Sequence, residues 1–210
     1  MTILAQDLIT KAARIYQDEG YDRIGVSDWI VYLNSAIKRL VGLRPDAHYK
    51  VAVLSMSGST LQTLPAEAVQ LIDVTRNMGS DGATVGSPIT EVDKDTLDRT
   101  LKWYTADIAD EVLHYSFDPR KPRHFTIEPP CENYVELTYS YLPTLVSSET
   151  DTIDLASTFE EDLVNWMLYQ AYQMDADEGN NWERMQFYYK AFFDGLRLET
   201  QEAANITGEK

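Results

Sequence analysis

Histidine and cysteine are the residue types in this chain that suit metal binding or nucleophilic catalysis. His48, His114 and His124 lie far apart, and none has a second ligand at the spacing that metal sites use. Cys131, the only cysteine, follows two prolines, which favour a stiff loop over the helix N-terminus that would activate a thiol. The sequence therefore predicts no metal centre, no intramolecular disulfide and no catalytic nucleophile.

Carboxylates are the other candidates for chemistry. Glu128, Glu132 and Glu136 are close enough in sequence to supply the acid–base pair that glycoside hydrolysis requires. An acidic chain contains many such pairs by chance, so the residue types alone do not select one. A carbohydrate-active enzyme with a β-rich domain therefore stands as an alternative function.

Two further segments resemble ligand-binding loops only in part. The glycine-rich segment 79–86 has no lysine after it and no helix opens there, so it predicts a hairpin turn and not a phosphate loop. Segment 93–98 holds three aspartates, but a calcium loop would need a ligand at Leu97 and a glycine at Asp98. We expect a solvated turn that caps a short helix, and no cofactor.

One cluster of basic residues stands out in an acidic region. Arg120, Lys121 and Arg123 flank Pro122, and a positive loop on an acidic subunit suits contact with an acidic neighbour. The three residues are our candidates for a contact with another protein. The alternative is a solvent-exposed turn.

The overall charge excludes one large class of function. Eighteen Lys and Arg against thirty-four Asp and Glu give 210 residues a net charge of -16 and a pI near 4.4. Binding to nucleic acid through phosphate neutralisation is therefore not expected. No run approaches the roughly 18 apolar residues of a membrane span, and the N-terminus lacks the features of a secretory signal, so we expect a folded protein that stays in the cytoplasm.

The charge is unevenly distributed along the chain. Residues 1–45 carry six bases and five acids, for +1. Residues 46–148 carry eight and fifteen, for -7, and residues 149–210 carry four and fourteen, for -10. The first segment is therefore the least negative.

Both ends of the chain show helical periodicity. Thr2 as N-cap and Gly20 as stop delimit a first helix, and Ser27 and Pro45 delimit a second. The apolar face of the first helix carries Leu4, Leu8, Ala12 and Ile15.

Two more helices are predicted near the C-terminus. Ser157 and Glu160 form a capping box for a third helix, and Asn181 caps a fourth after Gly179. The core-facing positions are Leu163, Trp166, Met167, Gln170, Ala171 and Met174 in the third helix and Met185, Tyr188, Phe192 and Leu196 in the fourth. Periodicity is lost over 203–210, which predicts a frayed end.

The middle of the chain predicts strands. Short β-branched or alternating runs occupy 50–54, 71–75, 112–117, 124–128 and 134–141, and a short helix is expected over 95–100. The fold class is therefore α+β: a four-helix body made from both chain ends, with an inserted antiparallel β domain. The predicted domain boundaries are 1–48, 49–148 and 149–210.

The order of several short segments carries a family resemblance. They are WIVYLNSA (29–36), LRPDA (43–47), LQTLP (61–65), LIDVTRN (71–77), YSFDPRKP (115–122), FTIEP (125–129), VELTYS (135–140), YQAY (169–172) and YYKAFF (188–193). In this order they resemble the head-to-tail adaptor (connector) proteins of tailed bacteriophages, the tail tubular protein A-like family.

The resemblance implies a structural virion protein and not an enzyme. Its expected partners are further copies in a ring, usually a dodecamer, the portal ring above and tail nozzle or fibre proteins below. DNA would pass through the channel during packaging and ejection without specific binding. The C-terminal segment would reach the portal, with Arg197, Leu198, Glu199, Ile206 and Lys210 as docking candidates. A phage tail-completion or stopper protein is the nearest alternative.

Overall fold

The computed structural model describes residues 3–99, 107–174 and 179–208, with side chains described through residue 197. It divides into two compact units: unit 1 is Met1–Ala47 with Pro143–Lys210, and unit 2 is His48–Leu142. Helices and antiparallel sheets are both present, so the predicted α+β class is confirmed.

The described elements follow in chain order. They are β1 (Ile3–Leu4), α1 (Ala5–Tyr16), α2 (Val26–Leu43), β2 (Tyr49–Ser55), β3 (Leu61–Thr63), β4 (Ala68–Asn77), β5 (Thr90–Glu91), α3 (Lys94–Arg99), β6 (His114–Phe117), β7 (His124–Glu128), β8 (Tyr134–Tyr141), β9 (Thr152–Ile153), α4 (Glu160–Met174) and α5 (Asn181–Gly208). Short 3-10 turns occupy Pro45–Ala47 and Ser157–Phe159.

Helix α4 is the packing centre of unit 1. It contacts α1, α2 and α5, and its residues Leu163, Met167 and Ala171 are fully buried. Trp29 of α2 is also fully buried, and its ring meets that of Tyr16 edge-on at 6.0 Å. Burial of these large apolar side chains is the main stabilising contribution to the unit.

The N-terminal helix begins differently from the prediction. Its N-cap residue is Leu4, which makes no side-chain cap, and Thr2 lies outside the described residues. The free N–H groups of Ala5 and Gln6 instead donate to the carbonyl oxygens of Asp151 and Glu149, at 3.0 and 2.9 Å. A distant backbone segment therefore satisfies the helix start, because β1 pairs with β9 beside it.

The same helix ends before its predicted stop. The cap is Gln17, in the left-handed region at φ 63, and not Gly20. The N–H of Asp18 donates to the carbonyl oxygen of Ala13 at 2.9 Å, which closes the last turn.

Three other helices start at positions that differ from the predicted ones by one or two residues. Gly25, not Ser27, is the N-cap of α2. A 3-10 turn occupies Ser157–Phe159 where the capping box is predicted, and its N-cap, Ala156, makes no side-chain cap. The N–H of Arg184 donates to the carbonyl oxygen of Asn180. The last helix is therefore capped at Asn180, one residue before the predicted cap, Asn181.

The C-terminal end of α5 is helical through Gly208, whereas the sequence predicts fraying over 203–210. Ala203 and Ala204 favour helical backbone even where no apolar periodicity remains.

Unit 2 contains two sheets, ordered β2-β8-β4 and β3-β7-β6-β5. The strands predicted over 50–54, 71–75, 112–117, 124–128 and 134–141 are confirmed as β2, β4, β6, β7 and β8, and the short helix is confirmed as α3. One pair departs from the antiparallel prediction: β5 pairs with β6 in parallel. Parallel strands need a long crossover, and the chain between β5 and β6, which includes α3, supplies it.

The apolar core of unit 2 lies among these strands. Leu71, Val74, Val135, Leu137 and Ile127 are all buried in it. The segment 78–86 forms a hairpin-like return, because the N–H groups of Asn77 and Gly86 bond to the carbonyl oxygens of Ser87 and Asn77. This return matches the predicted turn.

Candidate interaction surfaces

The predicted basic loop, residues 118–123, connects β6 to β7. The Arg120 guanidinium donates through Nε and Nη2 to the two carboxylate oxygens of Asp118, at 2.9 and 3.0 Å. These hydrogen bonds from Arg120 hold the pKa of Asp118 below its ordinary value. The charge of Arg120 is thus compensated within the loop, although its side chain is 89% exposed.

The other two basic residues of the loop are placed differently. Arg123 donates from Nη2 to the carbonyl oxygen of Pro65 at 3.1 Å, and its Nε is buried with no acceptor among the described residues. Lys121 is exposed. Both residues line a cavity of about 530 Å³ together with Leu61, Pro122 and His124.

The predicted portal-docking residues lie at the end of α5. Arg197 is exposed. Leu198, Glu199 and Ile206 follow in the same helix, and Lys210 lies outside the described residues. The structure thus places four of the five candidates on one continuous helix.

Unit 1 also has an exposed aromatic surface that the sequence reasoning missed. Met174, Trp182 and Phe187 are 74%, 54% and 65% exposed, so the prediction that Met174 faces the core is wrong. A groove of about 440 Å³, which we call the aromatic groove, is lined by Ile15, Gln17, Tyr172, Glu183, Arg184, Phe187 and Tyr188. Ile15 is 40% exposed beside it, although the sequence places it on the apolar face of the first helix.

The aromatic groove has an ordered wall. The rings of Tyr172 and Tyr188 stack at 5.7 Å with an interplanar angle of 2°. The Arg184 guanidinium lies 5.6 Å from the centre of the Tyr172 ring, and its Nη1 donates to the Tyr172 hydroxyl at 3.4 Å. The sequence does contain an indication of this exposed surface, because Trp182 and Phe187 fall outside the apolar stripe of α5 that contains Phe192 and Leu196. Large exposed apolar surfaces of this kind mark sites of protein contact.

Unit 2 has an exposed strand edge. In β2 the outward side chains Tyr49, Val51 and Val53 are 56%, 58% and 37% exposed, and within the described residues β2 pairs only with β8. The opposite edge strand, β4, is partly covered. Its residues Leu71 and Asn77 donate backbone hydrogen bonds to Pro122 and Ser87. The edge of β2 is therefore the more accessible of the two.

Cys131 and His48, two of the residues considered for nucleophilic or metal chemistry, are both buried. The Cys131 thiol is buried, and burial raises its pKa. His48 contacts the carbonyl oxygen of Tyr141 through Nδ1 at 2.9 Å. In the ranges that the structure describes, no group of three or more His, Cys, Asp or Glu residues is arranged to hold a metal ion.

Comparison with known proteins shows the family of the chain. A family model described as SU10 adaptor protein matches residues 2–208. The chain belongs to this family. The comparison with curated proteins gives no match.

Membership in the SU10 adaptor family gives the chain a structural role as a phage adaptor, a virion component that contacts other virion proteins. The resemblance to phage adaptors is thereby confirmed, whereas the tail tubular protein A-like group stays a prediction. Among the described helices of this adaptor, none is long and apolar enough to cross a membrane.

The segments that carried the resemblance have structural roles in this adaptor. Trp29 and Phe125 are buried in the cores of units 1 and 2, respectively. Arg44 of the LRPDA segment donates to the Asp46 carboxylate at 2.7 and 2.9 Å and to the carbonyl oxygen of Leu196 in α5 at 3.3 Å. The hydrogen bonds from Arg44 lower the pKa of Asp46. These segments thus contribute to the packing and hydrogen bonding of the two units.

Proposed function

We propose that this member of the SU10 adaptor family is a tail tubular protein A-like head-to-tail adaptor of a tailed phage. It forms a ring of identical subunits below the portal, extends the DNA channel and connects the capsid to the tail. The family match over residues 2–208 is the observation that carries the proposal. The subunit number, a dodecamer, comes from the resemblance.

Exposed apolar surfaces in both units support self-assembly. The aromatic groove and the outward face of β2 each leave large side chains in solvent, as in Phe187 and Val51. A closed ring joins different faces of identical subunits, so faces of unlike charge favour it. The +1 of residues 1–45 and the -10 of residues 149–210 provide that contrast.

The acidity of the chain suits a channel for DNA. A net charge of -16 repels phosphate, so DNA slides through a hydrated lumen without being bound. Replacing lumen carboxylates by lysine should then slow the passage of DNA.

The end of α5 is the proposed portal contact. Helix α5 extends to Gly208, so it includes Arg197, Leu198, Glu199 and Ile206, and Lys210 follows it in the sequence. A preformed helix binds with a smaller loss of conformational entropy than a disordered arm. The basic loop, with Arg120, Lys121 and Arg123, is the proposed contact with the tail nozzle or fibre proteins.

Portal co-assembly tests this function. The full chain and a chain that ends at Arg197 are each mixed with the portal ring of the same genome and sedimented. We expect the full chain to co-sediment and the shortened chain to remain in the supernatant. The double variant Arg120→Gln, Lys121→Gln is the control and should co-sediment normally, since it alters the proposed tail contact. A full chain that does not co-sediment with the portal ring would contradict the proposal.

A further inference from the structure

The cavity beside the basic loop combines apolar and basic side chains at the edge of a sheet. Leu61 belongs to β3, the edge strand of the four-stranded sheet, and its side chain is 57% exposed. Lys121, Pro122, Arg123 and His124 complete the lining of the 530 Å³ cavity. A ligand there would meet an apolar surface and positive charge together.

Arg123, one of the residues that line the cavity, also has an unpaired donor. The Arg123 side chain uses Nη2 on the carbonyl oxygen of Pro65, while its buried Nε has no acceptor among the described residues. A buried donor without a partner destabilises the protein until an acceptor reaches it. A carboxylate is the acceptor that a guanidinium binds best.

The positive charge of the cavity is only partly compensated. Arg120 forms an ion pair with Asp118. Lys121 forms no ion pair within the described part of the chain, although its charge contributes to lowering the pKa of Asp118. That carboxylate already accepts two hydrogen bonds from the Arg120 guanidinium. The structure therefore separates Lys121 and Arg123, which line the cavity, from Arg120, which does not.

We infer that this cavity binds a short acidic segment of a partner protein, with an apolar side chain against Leu61 and carboxylates on Lys121 and Arg123. Charge complementarity selects this occupant, because positive charge is concentrated here on a chain of net charge -16. Duplex DNA is disfavoured, since it binds to extended rows of cations and not to a compact, partly apolar cavity. The inference rests on the proposed adaptor role only for identifying the partner as a tail protein.

Peptide binding to the full chain tests the inference. The probe is a dye-labelled hexapeptide of sequence EDLFED, the reference is its neutral counterpart QNLFQN, and the readout is fluorescence anisotropy. We expect EDLFED to bind at least about fivefold more tightly, and Lys121→Gln to weaken EDLFED about three- to fivefold, as one exposed ion pair is lost. Leu61→Asn should weaken both peptides.

Lys94→Gln is the matched control, because it removes the same charge from an exposed lysine of unit 2 that does not line the cavity. Its affinity for EDLFED should stay within about twofold of the native value. Equal binding of the two peptides, equal weakening by Lys94→Gln and Lys121→Gln, or displacement of EDLFED by a short DNA duplex would each overturn the inference. Portal binding plays no part in this assay, so either proposal can fail while the other stands.

Discussion

Asp18 fixes the turn between α1 and α2 with a single buried carboxylate. Its oxygens accept hydrogen bonds from the backbone N–H groups of Asp22, Arg23 and Ile24, at 2.9 to 3.2 Å. Asn34 acts similarly in the same unit, because its amide both donates to and accepts from the backbone of Val146. Short polar side chains thus hold connections that no backbone ladder covers.

Replacing Asp18 by alanine should destabilise the protein by about 1–3 kcal/mol, since three buried or half-buried N–H groups would lose their acceptor. Chemical denaturation measures this change. Asp22→Ala is the control, because its exposed side chain makes no hydrogen bond that the structure shows, and its effect should be close to zero. Equal losses in the two variants would show that the carboxylate of Asp18 is not the anchor.

The contribution of Asp18 should also depend on pH. Burial alone would raise the pKa of this carboxyl, but the hydrogen bonds from Ile24, Arg23 and Asp22 outweigh burial and lower it below 3.8. A carboxyl with a lowered folded-state pKa stabilises the fold above its unfolded pKa, and the stabilisation is lost as the pH falls through the folded value. The difference between native protein and Asp18→Ala should therefore be constant near neutral pH and shrink below pH 3.8.

The basic loop shows how far single residues can be predicted. Residue type and spacing identify Arg120, Lys121 and Arg123 as a cluster. They do not show that Asp118 neutralises Arg120, or that Arg123 reaches the carbonyl oxygen of Pro65, 58 residues away in sequence. The first pairing is local but depends on the conformation of the turn, and the second depends on β3 meeting β7.

At the scale of elements, sequence periodicity predicts the long helices and the main strands. It fails at helix ends, because partners distant in sequence replace the local caps. Asp151 and Glu149 accept from the start of α1, where the sequence suggests Thr2. The two-residue strands β1, β5 and β9 are too short for any periodicity, and their pairing defines them.

The close packing between α4 and α5 also could not be predicted from the sequence. Gly195 lies in α5, and a Cβ added there would overlap Oδ1 of Asp162, a buried residue of α4. From the sequence alone, the only expectation for this glycine is its low helix propensity. In the structure it permits the approach of the two helices.

Gly195→Ala should therefore destabilise unit 1 by about 1–3 kcal/mol, because overpacking outweighs the better helix propensity of alanine. Thermal unfolding checks this prediction. Gly42→Ala in α2 is the matched control: a Cβ there meets nothing within 4 Å, so it should stabilise the protein by up to about 1 kcal/mol. A stabilising Gly195→Ala would contradict the close approach.

At the scale of the whole molecule, each of the two units has its own candidate interaction surfaces. Unit 1 holds the aromatic groove and the end of α5, and unit 2 holds the β2 edge and the basic cavity. The α+β class and the adaptor family follow from the order of segments in the sequence. The aromatic groove does not, because residues of α1, α4 and α5 meet only in the folded unit.

The native mass of the full chain, alone and mixed with the portal ring of the same genome, tests the central claim most directly. Exposed apolar surfaces and faces of unlike charge predict either a discrete multiple of 23.9 kDa for the chain alone or a portal complex heavier than the portal ring by such a multiple. A ring without portal would show that the subunit interfaces suffice, and a ring only with portal would show that assembly is templated. A 23.9 kDa monomer in both samples would contradict the account.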